Sequence, residues 1–399
     1  MRGSNETGPH AAGSGSWRER YSRQIRFAPL GERGQRQLGE ARVLIAGCGA
    51  LGASLAQHMV RSGVGEVRLA DRDYVEPSNL QRQTLFDEED ARLMLPKAVA
   101  AAQRLARINS GVKIVPHVAD LNRHTLPAIA EGVDLVLDGT DNAPTRLLLS
   151  DYCFRNGIPF LYGGVTGASG MTASLLPGST ACLRCLIGDE EGGADAETCD
   201  TAGVISPAVE FVASQQAAEA LKWLGSDAGL RRTWLSADLW NFRIRESQLP
   251  PGRHSCPFCG ESSAARIDGP RQIKSDRSDV NQPKNEFDGA SGAAENPSIG
   301  GEADSEFEPS TLLEAVTLCG RDTVQVKLGT SFHLPELHNV LERRGFAVTK
   351  NPYLLRAEFP DPDENGNAEK MVIFPDGRIL VHGTSDAERA RQLCNLLSL

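Results

Sequence analysis

Arg42-Val43-Leu44-Ile45-Ala46 runs directly into Gly47-Cys48-Gly49-Ala50-Leu51-Gly52. A short apolar run bounded by glycine reads as a central parallel strand, because a strand buried on both faces has no reason to alternate. The turn after it fits GxGxxG, and Leu51, Leu55, Ala56 and Met59 then recur at helical spacing. Such a turn presents backbone N–H groups and a helix N-terminus to a phosphate. Val67 to Ala70 supply a second strand that ends on Asp71, nineteen residues past Gly52, where a carboxylate can accept from ribose hydroxyls.

Beyond Asp71 the alternation continues. A helix is expected from Lys97 to Ile108, a strand near Val112 to Val115, a strand at Val133 to Leu137, a helix around Leu147 to Arg155 and a strand from Ile158 to Tyr162. This order implies an α/β fold, a Rossmann-like doubly wound and mostly parallel sheet with helices on both faces. Met171 to Leu176 suit a further strand. Val209, Val212, Ala213, Ala217, Ala220, Leu221 and Leu224 mark one face of a long helix, with Ser206 and Pro207 as its cap and first turn. Upstream, Tyr21 to Leu38 reads as a polar helix and loop, and residues 1–16 as a disordered start.

From Glu261 to Ser310 the composition turns to Gly, Ser, Ala, Asn, Asp and Pro, which describes a disordered linker over 261–310. Residues 311–399 regain apolar patterning and suit a small α+β domain of order βαβββα. Its last two strands are joined at Pro375-Asp376-Gly377, and Ser385 and Glu388 stand in capping-box spacing at its last helix.

The charge of −10 and pI near 5.4 exclude binding to nucleic acid or to an anionic membrane through the overall field. No apolar run is long enough to span a bilayer, and the first sixteen residues lack a secretory h-region, so a cytoplasmic protein is expected. Nine cysteines, an odd number, fit reduced thiols better than a disulfide framework.

Three further groups carry chemistry. Ser78-Asn79-Leu80-Gln81-Arg82-Gln83, with Lys97 shortly after, is a dense polar and cationic stretch behind the ribose carboxylate. A dehydrogenase has no need of it, whereas triphosphate transfer needs positive groups on developing charge; a solvated loop is the bland alternative. Asp138-Gly139-Thr140-Asp141-Asn142 ends an apolar strand, so Asp141 can hold Mg²⁺ beside phosphates, or Asp141 or Asn142 can cap the next helix. Cys182 with Cys185 and Cys256 with Cys259 supply four sulfurs for a closed tetrahedral Zn²⁺ site, a redox CxxC being the rival.

Taken in order over Arg20 to Gly260, GCGALG, the Asp71-x-Asp73 pair, SNLQRQ, Pro96-Lys97, DGTDN and the two CxxC pairs resemble the ThiF/MoeB/HesA family, prokaryotic relatives of ubiquitin-activating enzymes. Tyr21 to Ile25 also matches the family's start. The resemblance implies an adenylation domain over 17–260 that uses ATP and Mg²⁺ to adenylate the C-terminal Gly-Gly carboxylate of a ubiquitin-like sulfur carrier protein, releasing pyrophosphate. Sulfur transfer in molybdopterin or thiamine biosynthesis is the setting it implies, with a sulfur donor such as a cysteine desulfurase as a further partner.

Carried over by residue, the resemblance implies that Gly47, Gly49, Ala50 and Gly52 line the nucleotide and that Asp71 takes the ribose. Asn79, Arg82 and Lys97 would hold phosphates and Asp141 magnesium, with Asp73, Ser78, Leu80, Gln81 and Asn142 in the same nucleotide-binding set. Arg23 would reach the neighbouring subunit's site, which implies a homodimer. Cys199, in the glycine-rich acidic stretch Gly188 to Gly203, would form a thioester or persulfide with the carrier, or stand as an unreactive exposed thiol. Ala50 replaces a glycine frequent in the family, and Asp87 to Asp90 looks inserted. A carboxylate nucleophile is already ionised at neutral pH, so no general base is required. The competing readings are an NAD-linked oxidoreductase and a non-catalytic zinc-stabilised scaffold whose tail recruits partners.

Overall fold

The computed structural model describes residues 14–188, 202–226, 228–260, 312–317, 322–359 and 369–396. The expected linker at 261–310 and Cys199 lie outside them. Two compact units divide the chain, each with its own sheet.

The first unit opens with α1 (Ser14–Arg20), α2 (Ser22–Ile25), α3 (Gly31–Glu40), β1 (Arg42–Ala46), α4 (Ala50–Ser62), β2 (Glu66–Asp71), α5 (Glu88–Arg92), α6 (Lys97–Ile108) and β3 (Lys113–Val118). It continues with α7 (Leu126–Ile129), β4 (Leu135–Asp138), α8 (Ala143–Asn156), β5 (Phe160–Thr166), β6 (Ser169–Leu175), α9 (Leu183–Ile187), α10 (Ser206–Gly225), β7 (Thr233–Asp238) and β8 (Arg243–Gln248). Helix α1 begins inside the stretch expected to be disordered, so Ser14 to Ser16 correct that expectation.

The eight strands lie in the order β3-β2-β1-β4-β5-β6-β7-β8. Pairs from β3 through β5 are parallel, and β6, β7 and β8 are added antiparallel. The α/β expectation therefore holds, with an antiparallel extension on one side. β1 sits between β2 and β4, where the strand order reverses, and a crevice opens at the carboxyl ends of such strands.

Burial explains the unbroken apolar run of β1. Val43 and Ile45 enter one core cluster and Leu44 and Ala46 the other, all fully buried. Leu55 and Met59 of α4 are buried on the first of these faces, each contributing roughly 1.5–3 kcal/mol. Helix α10 buries Val209, Val212, Ala213, Ala217, Ala220 and Leu224 as its spacing implied, while Leu221 is only partly buried. Its N-cap is Ile205 rather than Ser206, with Pro207 in the first turn.

The second unit runs β9 (Leu312–Thr317), β10 (Thr323–Leu328), α11 (Leu334–Arg343), β11 (Ala347–Lys350), β12 (Leu355–Glu358), β13 (Lys370–Ile373), β14 (Arg378–His382) and α12 (Ala387–Asn395). Its sheet is antiparallel in the order β11-β12-β13-β14-β10-β9. The order expected from the sequence lacks β9 and β11, the two edge strands. Ala347, Thr349 and Lys350 of β11 are exposed, so that strand carries no alternation to read. Helix α12 is capped by Asp386, whose side chain accepts from Glu388 N–H at 2.8 Å, and not by Ser385. Among the described residues no helix is long and apolar enough to cross a membrane.

Candidate nucleotide site and metal centre

The turn after β1 has its shape because of two glycines. Gly47 adopts a left-handed φ of +85°, and a methyl group on Gly52 would lie 1.9 Å from the Gly47 carbonyl oxygen. Helix α4 therefore seats directly on the turn. No side chain caps it at Gly49, which leaves first-turn N–H groups to a ligand.

Asp71 is tied to this turn. One carboxylate oxygen accepts the Cys48 N–H at 2.6 Å and the other accepts the Asp73 N–H at 2.7 Å. Burial pushes its carboxyl above the ordinary range, against the pull of the Lys97 charge. Lys97 opens α6 with its side chain 4% exposed, its Nζ 3.3 Å from the Asp73 carboxylate and its backbone N–H on the Asp73 carbonyl.

The polar stretch between them divides by residue. Asn79, 1% exposed, accepts the Glu76 N–H at 3.1 Å and lies 3.4 Å from Ser78 Oγ, so it braces a 3-10 turn at Pro77–Asn79. Arg82 donates to the Ser78 carbonyl at 3.0 Å. Leu80 packs on the core, whereas Ser78 and Gln81 face solvent.

At the end of β4, Asp138 is fully buried and accepts the Thr140 N–H and hydroxyl at 3.0 and 2.7 Å. Burial raises its pKa, opposed by Arg146, whose Nε lies 3.3 Å away. Gln216 of α10 donates to the carbonyls of Asp138 and Leu161 at 3.0 and 2.9 Å, stapling β4 to β5. Asp141 is exposed, and Asn142 caps α8 by accepting the Thr145 N–H at 2.9 Å. Arg72 pairs with Asp120 at 3.0 Å and feels the charges of Asp73 and Asp141, so these three carboxylates converge on one cation. Asp138, Arg146, Gln216 and Arg72 were not among the site residues expected. Only Asp138, the polar end of an apolar strand, carried a signal.

Cys182, Cys185, Cys256 and Cys259 converge, their sulfurs all within 4.8 Å of one another. Cys182 to Cys256 and Cys185 to Cys259 are each 3.7 Å. A tetrahedron with Zn–S bonds of about 2.3 Å has an edge of about 3.8 Å, so the donor set fits zinc. Burial outweighs other influences at Cys185, pushed up to about 12. At Cys256 burial is overcome by backbone N–H groups of Cys259 and Phe258, which bring it to about 7. One four-thiol cluster is more than a redox dithiol needs.

The model of the ThiF family matches residues 21–258. The chain belongs to the ThiF family. It is 39% identical over 378 residues to the sulfur carrier protein ThiS adenylyltransferase of Bacillus subtilis, covering 94% of this chain and 97% of that one. The molybdopterin-synthase adenylyltransferase of Salmonella typhimurium is 37% identical over 246 residues, 61% of this chain and 96% of that one. The crystal structure of E. coli MccB with AMPCPP and MccA shares the fold, with a TM-score of 0.53 at 23% identity over 62% of this chain and 76% of that one.

In this ThiF-family chain Arg23 stands apart from the glycine turn. Helix α2 docks at the far end of α4, where Gln24 donates to the Ser62 carbonyl at 2.9 Å and a methyl group on Gly63 would strike the Tyr21 ring. Helix α4 has 13 residues, so that end lies about 18 Å from the turn. The turn itself carries one thiol, Cys48, fully buried and pushed up by burial and by Asp71. A thiol held protonated in this way is no nucleophile.

Proposed function

We propose that this ThiF-family chain is a nucleotidyltransferase that uses ATP to adenylate the C-terminal Gly-Gly carboxylate of a ubiquitin-like sulfur carrier protein. The observation that carries this reading is the near full-length match to a ThiS adenylyltransferase, which includes the second unit. The molybdopterin-synthase relative accounts for only 61% of the chain, so a carrier of thiamine biosynthesis is the first candidate and one of molybdopterin biosynthesis the second.

The carrier carboxylate attacks the α-phosphorus, the bond from that phosphorus to the α,β-bridging oxygen breaks, and pyrophosphate leaves with its electron pair. No proton moves, so no general base is needed. Backbone N–H groups at Gly49 to Leu51 offer a seat for phosphate, and Asp71 an acceptor for ribose hydroxyls. In this reading Lys97, Arg82 and Asn79 neutralise and orient the phosphates, and Asp141 carries Mg²⁺, which adds positive charge on the leaving oxygens. A structural Zn²⁺ on the four thiolates staples the segment at Cys182 and Cys185 to the chain beyond β8.

The position of α2 supports a homodimer in which Arg23 serves the site of the second copy, since its own turn is farther away than one side chain reaches. Reduced thiols suit a cytoplasmic protein, and the second unit is a candidate dock for the carrier or for a sulfur donor such as a cysteine desulfurase. Mixing the protein with ATP, Mg²⁺ and a panel of Gly-Gly carriers tests the reading. Carrier-dependent ATP–pyrophosphate exchange is expected, and an absence of exchange with every carrier, coupled with a nicotinamide fluorescence change on NAD addition, would overturn it.

A further inference from the structure

Each cysteine pair encloses a side chain that is not a metal donor, Arg184 in the first and Phe258 in the second. The Arg184 guanidinium carbon lies 5.4 Å from the centre of the Phe258 ring, and that of Arg155, near the end of α8, lies 4.7 Å from the same centre. Both fall inside the ~6 Å reach of a cation–π contact. Helix α8 also fixes the first pair. Arg184 Nε and Nη2 donate to the two Asp151 carboxylate oxygens at 3.3 and 2.7 Å, and the Leu183 N–H donates to Ser150 Oγ at 3.1 Å. Three segments far apart in sequence therefore meet on one aromatic ring.

The second pair needs such a contact. Residues 249–260 contain no helix or strand, so no regular element holds Cys256 and Cys259. Phe258 packs against the second core cluster, and its N–H donates to Cys256 Sγ at 3.4 Å, so a hold on the ring is also a hold on that thiol. A basic residue in the last turn of α8 suits the helix dipole, which accounts for the charge of Arg155 but not for the ring beside it. Arg155 is exposed and has no carboxylate partner among the described residues. Asp151 offsets the charge of Arg184, so Arg155 supplies the net cation here. Four thiolates around a divalent ion leave a net charge of about −2, which a nearby cation stabilises.

We infer that Arg155, Phe258 and Arg184 form a clasp that holds the second cysteine pair against the first and sets the affinity of the metal centre. None of the three donates to the ion. They are positioning residues, acting through the ring and through charge, and the sulfurs alone would bind the same ion more weakly. The inference rests on the reading of the four thiols as a zinc site.

The test titrates the metal-free full chain with zinc under reducing conditions, in competition with a chromophoric chelator. The chains compared are wild type, Arg155→Met, Phe258→Leu, Phe258→Tyr and the double variant Arg155→Met/Phe258→Leu. Arg155→Met replaces an exposed side chain and leaves the core untouched. Arg155→Met and Phe258→Leu should each weaken zinc binding about three- to thirtyfold, while Phe258→Tyr keeps the aromatic face and should stay within about twofold of wild type. Because the cation and the ring act as a pair, the double variant should lose less than the product of the two single losses. Unchanged affinity in both single variants, a Phe258→Tyr chain as weak as Phe258→Leu, or losses that multiply in full would overturn the inference. A wild-type chain that binds no zinc would instead bring down the zinc reading itself, and the inference with it.

Discussion

The Asp71 carboxylate holds the Cys48 N–H at 2.6 Å with one oxygen and the Asp73 N–H at 2.7 Å with the other, so the ends of β1 and β2 are one rigid piece. Asp71→Asn must turn an NH₂ group toward one of those two N–H groups. The expected cost is about 1–3 kcal/mol of stability, together with weaker ATP binding. Urea unfolding and calorimetry check both, and a variant as stable as wild type would show that the carboxylate does not brace the turn.

Asp138 gives the molecule a pH signature. Its folded pKa lies above the ordinary 3.8, first because burial penalises the charge. Between those two values the folded chain holds more protons than the unfolded one, so stability falls as pH rises through the window. In Asp138→Asn that slope is gone. The stability difference, variant minus wild type, should grow from pH 3.8 upward and level off above the folded value. Urea melts at several pH values measure it, and a difference independent of pH would refute the assignment.

Removing the metal should loosen the junction between Cys182 and Cys259. A chelator under reducing conditions is expected to release one zinc per chain and, for a loss of about 3 kcal/mol, to lower the Tm by about 6–12 °C. Cys185→Ala should do the same without chelator. Metal analysis alongside calorimetry decides, and a metal-free wild type with an unchanged Tm would favour a redox dithiol.

Arg23 and Lys97 should complement across subunits. In a dimer mixing an Arg23→Ala chain with a Lys97→Ala chain, one site has both groups and the other has neither. Random exchange gives half mixed dimers, so about a quarter of wild-type exchange activity should return from two inactive parents. Activity that stays at the parental level would place Arg23 in its own subunit's chemistry or in none.

What could be read along the chain followed from local physics. β1, its glycine turn and α4 were legible because burial on both faces and a crowded backbone each leave a residue-level trace. The four thiols were legible as donors by type and spacing. Their crosswise proximity, Cys182 to Cys256 and Cys185 to Cys259, was not, because it depends on where β8 ends. Gln216 and Asp138 meet across 78 residues and carry no local sign of it. The edge strand β11 escaped for the opposite reason, since an exposed edge needs no pattern. Ser385 and Asp386 both suit a helix cap by composition, and only the backbone geometry selects Asp386.

The thiol cluster also sets a time order on synthesis. Its two halves are 74 residues apart, so at roughly 5–20 residues per second Cys182 and Cys185 are made about 4–15 s before the second pair. Metal can be enclosed by four sulfurs only after β6, α10, β7 and β8 have been made. A nascent chain stalled short of Cys259 would therefore present two waiting thiols, and capture of the ion would mark completion of the whole eight-stranded sheet.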